Sequence, residues 1–533
     1  MVMPLTDDGQ RRPVPVPVLI LVLLAMCWAS LRIGLADAPR GDTASLSAND
    51  RSRWSTVAAL VHHGSYVVDD IVLQRDPVSG RNVRDKAWYS IDQVRHKGRD
   101  GKEHYYSSKP TLFPTLMAGK YWLLNTITGW DIRTSPHLVI RTLLLLTNLP
   151  ALVVLFFLGC SWARRYCQTG WSQVFAAAII TWGTFLTTFA NTLNNHLIAT
   201  AFVAIAFECC LRILERREER LHWYLGAGFC AAMATANELP VLALLGLIGL
   251  GLVAHNWRTT LVAFGPPVLL VGLAFFGTNW LAHNSLQPAY AHRSDGAEIA
   301  TISATAEQLD GGTLLPEWMA AIPVELSQGT MIIGHEIDGR WIIWDRDGQD
   351  RLAVQYHGNK ASIHEWNNWY DYSGTHWVPS KSLGFDAGEP SRLVYAFQLL
   401  IGHHGVFSLT PIWLLSIWGG ILLWRDGNPF VRRVTAAILL ISLVVFMFYV
   451  MRPLRDRNYG GNCCGPRWLF WLIPFWFYLA LAPLDRLAIQ PGRRQLANLL
   501  LLLSVVTSIY AFTNPWQPPW LYTLIESLGL LAS

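Results

Sequence analysis

The sequence predicts an all-α polytopic membrane protein with about eleven transmembrane helices and outer-face loops that include a small mixed α/β segment. Composition is the first reason. Of 533 residues, 52% are hydrophobic and only 15% are charged, against roughly a quarter charged in ordinary globular domains. Length is the second: apolar runs recur that could cross a ~30 Å hydrocarbon core at about 1.5 Å per residue. The third is where the arginines fall.

Arg11 and Arg12 precede an apolar run over 14–35. That run is longer than the ~7–15 residues of a signal-peptide core, which favours a retained anchor. Ala36-Asp37-Ala38 resembles a signal-peptidase site, so cleavage is the rival reading; either way the next loop is exported. Further runs cover 138–158, 174–190, 197–211, 221–235, 239–254, 261–280, 406–424, 434–451, 468–488 and 496–512. With the N-terminus inside, the short connections at 163–165, 212–220, 256–258, 425–433 and 485–494 are cytoplasmic, and each contains arginine. The short outer connections 191–195 and 236–239 contain none, as the positive-inside rule requires.

One outer loop, 452–467, departs from that rule with Arg452, Arg455, Arg457 and Arg467. Such a cluster suits an anionic ligand, and equally suits neutralising lipid headgroups. The organisation that follows is a tail and first helix over 1–36, and a first outer loop with an interfacial helix over 37–137. A transmembrane bundle over 138–280 comes next, then a second large outer segment over 281–395, C-terminal helices over 396–514 and an outer tail over 515–533. The eight cysteines show no C-x-x-C spacing and imply neither a disulfide framework nor a metal site.

The first outer loop holds the residues with most chemistry. Trp54, Val57, Ala58 and Val61 recur at helical spacing, and Gly64 follows as a stop. Asn49 or Asp50 fits the N-cap of that helix; an ionised Asp50 at this place is also suited to take a proton from a bound hydroxyl. Asp69-Asp70 follow Tyr66-Val67-Val68, and on an extended strand the two carboxylates point to opposite faces. Lys109-Pro110 opens an apolar stretch over 110–129, interrupted by Pro114 and Gly119, which reads as an interfacial helix. Lys109 is then a cation at headgroup level, placed either for a lipid phosphate or simply to snorkel. Tyr105-Tyr106 and Ser107-Ser108 precede it with hydroxyl donors.

Other features lie at span ends. Asn191 to His196, including Asn194 and Asn195, caps one pair of spans, and Asn237-Glu238-Leu239-Pro240 the next. Asn458-Tyr459-Gly460-Gly461 leads through Cys463, Cys464, Gly465 and Pro466 to Arg467. His403-His404 could bind metal, but one adjacent pair is a weak signal. In the second outer segment, 340–344 turning into 352–356 reads as a hairpin. The aromatic and amide-rich 364–372 suits sugar stacking or, more simply, a small domain core. Intramembrane charge is sparse, with Arg141 and Glu208 the main cases, which disfavours an ion-coupled transporter.

Together these motifs resemble the GT-C superfamily of membrane glycosyltransferases, especially the protein O-mannosyltransferases and the lipid A aminoarabinose transferases. The family's acidic, aromatic-led motif after the first span is matched by Asp50-Arg51-Ser52-Arg53-Trp54-Ser55, without the second acid. Ser108-Lys109-Pro110 resembles its E-K-P motif, and Gly465-Pro466-Arg467-Trp468-Leu469, continuing to Pro474, its late entry into a span. The resemblance implies a GT-C-like fold on a bacterial inner membrane. It also implies a polyprenyl-phosphate sugar donor used on the periplasmic face and an acceptor of unknown kind, whether lipid, glycan or protein. Asp50 inherits the base, and Lys109 and Arg467 the donor phosphate. Asp69, Asp70, Tyr106, Asn195, His196, Glu238 and Tyr459 complete the candidate site. Where the aminoarabinose transferases carry a second-loop aspartate, this chain has only Asn194, Asn195 and His196, so a divalent metal ion is left open as a cofactor.

The chemistry asks little more. A departing phosphate needs cations to hold it, and an inverting transfer needs one base for the acceptor hydroxyl. No Gly-rich nucleotide loop is visible, and nothing points to nucleic acid. The competing readings are a transporter or flippase for lipid-linked saccharides, and an oligosaccharide ligase or polymerase.

Overall fold

The computed structural model describes residues 14–39, 41–335, 337–347, 350–378, 388–512 and 514–530. The chain divides into two compact units, Met1–Arg51 with Leu112–Phe275 and Gly384–Ser533, and Ser52–Thr111 with Phe276–Leu383.

The first unit is helical. Among the described residues, five helical runs are long and apolar enough to cross a membrane: Val16–Gly34, Pro136–Tyr166, Asn195–Leu214, Leu239–His283 and Pro429–Val450. The first, 19 residues long, rises about 28 Å, close to the hydrocarbon thickness. The fourth is broken at Asn256 (φ −152°, ψ 91°). Leu245, Ile248 and Leu252 before the break share one cluster with Ala263, Phe264 and Val268 after it, in keeping with the two apolar runs read there.

The apolar runs outnumber these helices because several fold as shorter pieces. The run over 174–190 is helical only to Trp182. Beyond it Thr184 and Thr188 hydroxyls donate to the Ile180 and Ser508 carbonyls, while Phe185, Leu186 and Phe189 stay buried. The run over 468–488 is cut into Arg467–Leu472, Ile473–Leu481 and Leu484–Ile489, with prolines at the starts of the last two. Hydroxyls and prolines thus trade helix length for buried turns.

Charges inside this unit are satisfied structurally. Glu208 accepts from Trp162 Nε1 (2.7 Å), Arg165 Nη2 (2.8 Å) and Arg212 Nε (2.7 Å), and Arg141 Nη2 donates to the Ala36 carbonyl at 2.7 Å. Close packing explains one glycine: a Cβ on Gly228 would stand 2.4 Å from the Phe264 carbonyl oxygen. Aromatic side chains fill the core, with Phe207 edge-on to Trp162, Phe475 and Tyr478.

The stretch over 110–129, expected to be an interfacial helix, is helical over Leu112–Thr128 and unbroken at Pro114 and Gly119. Pro114 sits in its first turn, where a missing N–H costs nothing. Its Lys120 donates to Thr147 Oγ1 at 3.1 Å.

The second unit is largely β. Gln93–Lys97 pairs antiparallel with Glu103–Ser107, and Leu73–Arg75 with Asn82–Arg84. A five-stranded antiparallel sheet runs in the order Glu298–Ser303, Lys360–Glu365, Asp350–His357, Arg340–Asp345, Thr330–Gly334. It contains the hairpin read from the sequence, with Arg340 opposite Gln355. Two short helices, Ala306–Asp310 and Pro316–Ala321, cover one face through Leu309 and Trp318. The aromatic stretch 364–372 supplies core here, since Trp369, Tyr370 and Tyr372 are buried. Tyr106, His96, Trp369 and His292 form a stack of rings, with neighbouring centroids 4.2, 4.0 and 3.5 Å apart.

Candidate active site

Four of the residues singled out in the sequence meet in the first unit. Gly460 adopts φ +92°, and a Cβ there would lie 2.8 Å from Arg467 Nε, so only glycine lets the loop close on the guanidinium. The Gly460 carbonyl accepts from Arg467 Nη2 (2.7 Å) and Nε (3.2 Å). Arg467 Nη1 lies 2.9 Å from His196 Nε2. An arginine can only donate, so Nε2 is the acceptor and the imidazole proton sits on Nδ1. That nitrogen faces the Glu238 carboxylate, with which His196 is paired. Glu238 Oε1 also accepts from Asn195 Nδ2 at 2.6 Å.

The chain Glu238–His196–Arg467 is built from helix caps. Asn194 caps Asn195–Leu214 by accepting from the His196 and Leu197 amides, and Glu238 ends Leu221–Asn237. Asn195 Nδ2 ties the two together through the Asn237 carbonyl (2.6 Å). Arg467, His196 and Glu238 are 9%, 4% and 6% exposed. The guanidinium also lies 4.7 Å from the Trp516 ring centroid. Its hydrogen bonds go to a carbonyl and a neutral imidazole, so its positive charge stays available to an anion.

Lys109 is held otherwise, in the second unit. Its Nζ pairs with Asp92 Oδ1 at 3.0 Å. Ser52 Oγ donates to the Asp92 carbonyl (2.5 Å) and lies 2.6 Å from Ser107 Oγ. The Lys109 amide donates to Ser107 Oγ (3.2 Å), and the Ser108 amide to the Asp92 carbonyl (3.1 Å). Asp92 escaped the sequence reading, although a signal existed. The Gly98–Gly101 turn marks a hairpin, and its register, Gln93 opposite Ser107, carries Asp92 to the side of Ser108 and Lys109.

The other candidates fall in separate places. Asp50 is 1% exposed in the first turn of Ala48–His63, the helix expected there, and Gly64 (φ +61°) ends it. It is not the N-cap, and neither is Asn49. Ser47 Oγ accepts from the Asp50 amide at 3.1 Å, which makes Ser47 the cap, since a cap oxygen takes the amide two or three residues on.

Asp69-Asp70 do not lie on a strand but begin a single helical turn, Asp69–Val72. Asp69 Oδ1 accepts from the Tyr105 amide (2.7 Å) and Oδ2 meets His104 Nδ1 (2.7 Å), while Asp70 is exposed. Asp100 takes the other His104 nitrogen at 3.0 Å. Burial lowers the His104 pKa, but the bonds to Asp69 and Asp100 outweigh it and the net shift is upward. Tyr106 is buried in the ring stack. Burial, and then the charges of Asp69 and Asp100, push its hydroxyl up to about 12. Tyr459 lies beside Gly460, its hydroxyl donating to Glu389 Oε2 (3.3 Å) and its ring stacked on His404.

Among the described residues no three His, Cys, Asp or Glu side chains converge as a metal site. His403 and His404 are turned to each other (Nδ1 to Nδ1, 2.5 Å) and against Tyr459 and Tyr522. This donor set does not fit a divalent ion.

No family model matches the sequence, and no curated protein does. Among solved structures, the chain is similar to the oligosaccharyltransferase of Archaeoglobus fulgidus in its apo form. Identity is 12% and the TM-score 0.45, over 94% of this chain and 57% of that one. It is also similar to the S. cerevisiae protein O-mannosyltransferase Pmt1-Pmt2 complex bound to the sugar donor, at 11% identity and a TM-score of 0.43, over 98% and 93%. A third is the archaeal oligosaccharyltransferase with an inhibitory peptide and a dolichol-phosphate, at 9% and 0.41. The chain spans just over half the length of the archaeal enzyme. Each of these likenesses is remote in sequence.

Proposed function

We propose that this chain is a membrane glycosyltransferase that moves a sugar from a polyprenyl-phosphate donor to an acceptor hydroxyl, with inversion. The observation that supports it best is Arg467, a nearly buried guanidinium bonded to neutral acceptors and aligned by His196 and Glu238. Such a group is prepared for a phosphate at low reorganisation cost. In the reaction, Asp50 takes the acceptor proton and the acceptor oxygen attacks the anomeric carbon opposite the phosphate. The sugar–phosphate bond breaks, leaving its electron pair on the phosphate oxygen. Arg467 and Lys109 supply the positive charge that this oxygen meets. About eleven spans, a cytoplasmic N-terminus and a periplasmic site in a bacterial inner membrane remain the topology we favour, from the arginine bias of the short loops.

Asp50→Asn tests the reading. Amide for carboxylate keeps the volume and removes the base, whose loss costs about 10²–10⁴-fold in rate. Transfer from a polyprenyl-phosphate donor should fall by that factor while thermal stability holds. Unchanged transfer contradicts the mechanism, and a lipid-saccharide carrier gives no glycosylated product even in the unmodified protein.

A further inference from the structure

Two short helices outside the long apolar runs leave apolar side chains exposed. In Arg392–Leu400, Tyr395 and Leu399 are buried. Leu393, Val394, Phe397, Leu400 and Ile401 are exposed, Leu393 by 83%. Their spacing puts these five on the face opposite the buried pair. Trp520–Ser527 has no buried residue. Leu521 packs against the bundle core, while Leu524 and Leu528, one and two turns on along the same side, are exposed; Thr523, Glu526 and Ser527 take the other side. Three residues beyond the first helix, the His403 ring lies 5.2 Å from that of Tyr522 in the second.

Continuity shows what covers these stripes. Leu399 lines a narrow apolar cleft with Phe446 and Tyr449 of Pro429–Val450, a helix apolar and long enough to cross a membrane. Met447, Phe448 and Met451 at the same end are themselves exposed, and Arg452 follows. An apolar flank that runs from a spanning helix onto two amphipathic ones, with arginine beside it, is the pattern of a bilayer boundary. We propose that Arg392–Leu400 and Trp520–Ser527 form an interfacial ledge, lying in the headgroup–acyl boundary with their apolar stripes in lipid.

The ledge is tied to the loop that holds Arg467. Arg457 Nη1 donates to the Pro390 carbonyl (2.8 Å), the Glu389 amide to the Arg457 carbonyl (2.8 Å), and Tyr395 Oη to the Asn458 carbonyl (2.7 Å). Lipid contact thereby sets the depth of Gly460 and Arg467. That consequence rests on the role proposed for Arg467; the lipid contact itself does not.

The test uses the full chain in liposomes of phosphatidylethanolamine and phosphatidylglycerol, with photoreactive p-benzoylphenylalanine replacing Phe397, Leu524 or Thr523 in turn. Irradiation should give a phospholipid adduct, read as a mass shift of the intact protein, at 397 and 524, and loss of it at 523. If the probe at 397 disturbs folding, position 393 takes its place. A covalent dimer at 397 would assign the stripe to a second copy. Absence of any adduct at 397 and 524 would leave it in water, and equal adducts at 523 and 524 would remove the stripe's distinction. Each of these overturns the proposal, whatever the protein's catalytic activity.

Discussion

Arg467 and Lys109 are both cations suited to an anionic ligand, yet each unit holds its cation by a different device. Arg467 leans on a carbonyl and an imidazole, and its link to a carboxylate, Glu238, passes through His196. Lys109 meets the Asp92 carboxylate directly. A guanidinium can place several N–H groups on neutral acceptors and stay fully charged toward a ligand. An ammonium beside a carboxylate is already compensated, so an incoming phosphate must share it with Asp92. Arg467 therefore carries the greater share of anion binding in this account, and Lys109 the lesser.

Acid is the strongest way to disturb the Lys109 side of that contrast. Burial holds His96, in the strand beside Asp92, down at about 4 against its ordinary 6.5, and lowers His292 for the same reason. The folded unit then binds fewer protons than the unfolded chain. This contribution to stability is full above pH 6.5 and drains as pH falls toward 4, by up to about 3 kcal/mol for His96 alone. His104 works the other way, since its folded pKa is raised: its contribution is present in acid and lost as pH rises through the folded value. Hydrogen-exchange protection of Gln93–Lys97, corrected for the intrinsic rate, should fall between pH 6.5 and 4. His96→Phe should flatten that fall. Protection independent of pH would contradict the buried neutral stack.

A smaller effect is expected from Lys109 itself. Lys109→Ala removes the cation paired with a largely buried carboxylate, at a cost of about 1–3 kcal/mol. Asp92→Asn in the same chain should recover most of it, as read by thermal unfolding in detergent. If the double variant is no more stable than Lys109→Ala, the pair is not what holds this lysine. Smallest is the cap of the Asp50 helix. Ser47→Ala should lower stability by about 1 kcal/mol, whereas Asn49→Ala should not; the opposite order would restore the cap that the sequence suggested.

Much of this was legible in the sequence where local rules apply. The stop at Gly64, the hairpin at Arg340–Tyr356 and the polar span ends carrying Asn195, His196, Glu238 and Arg467 all announce themselves. Amides and charges at the ends of apolar runs have few partners other than one another. Pairings set by strand register were harder to read. Asp92 reaches Lys109 through a hairpin whose only mark in the sequence is the Gly98–Gly101 turn, and Asp69 reaches His104 from a helical turn where a strand was expected. Nor could apolarity alone tell the helix Gly170–Trp182 from the buried turns after it, where threonine hydroxyls take over the work of helical hydrogen bonds.

The most direct test is binding of polyprenyl phosphate to the purified protein in lipid nanodiscs. Arg467→Ala should weaken binding about 10- to 100-fold, the scale of a charge-assisted phosphate contact. Lys109→Ala should weaken it less, and Arg467→Lys should fall between the unmodified protein and Arg467→Ala. Undiminished binding by Arg467→Ala, or a larger loss with Lys109→Ala, would contradict the account.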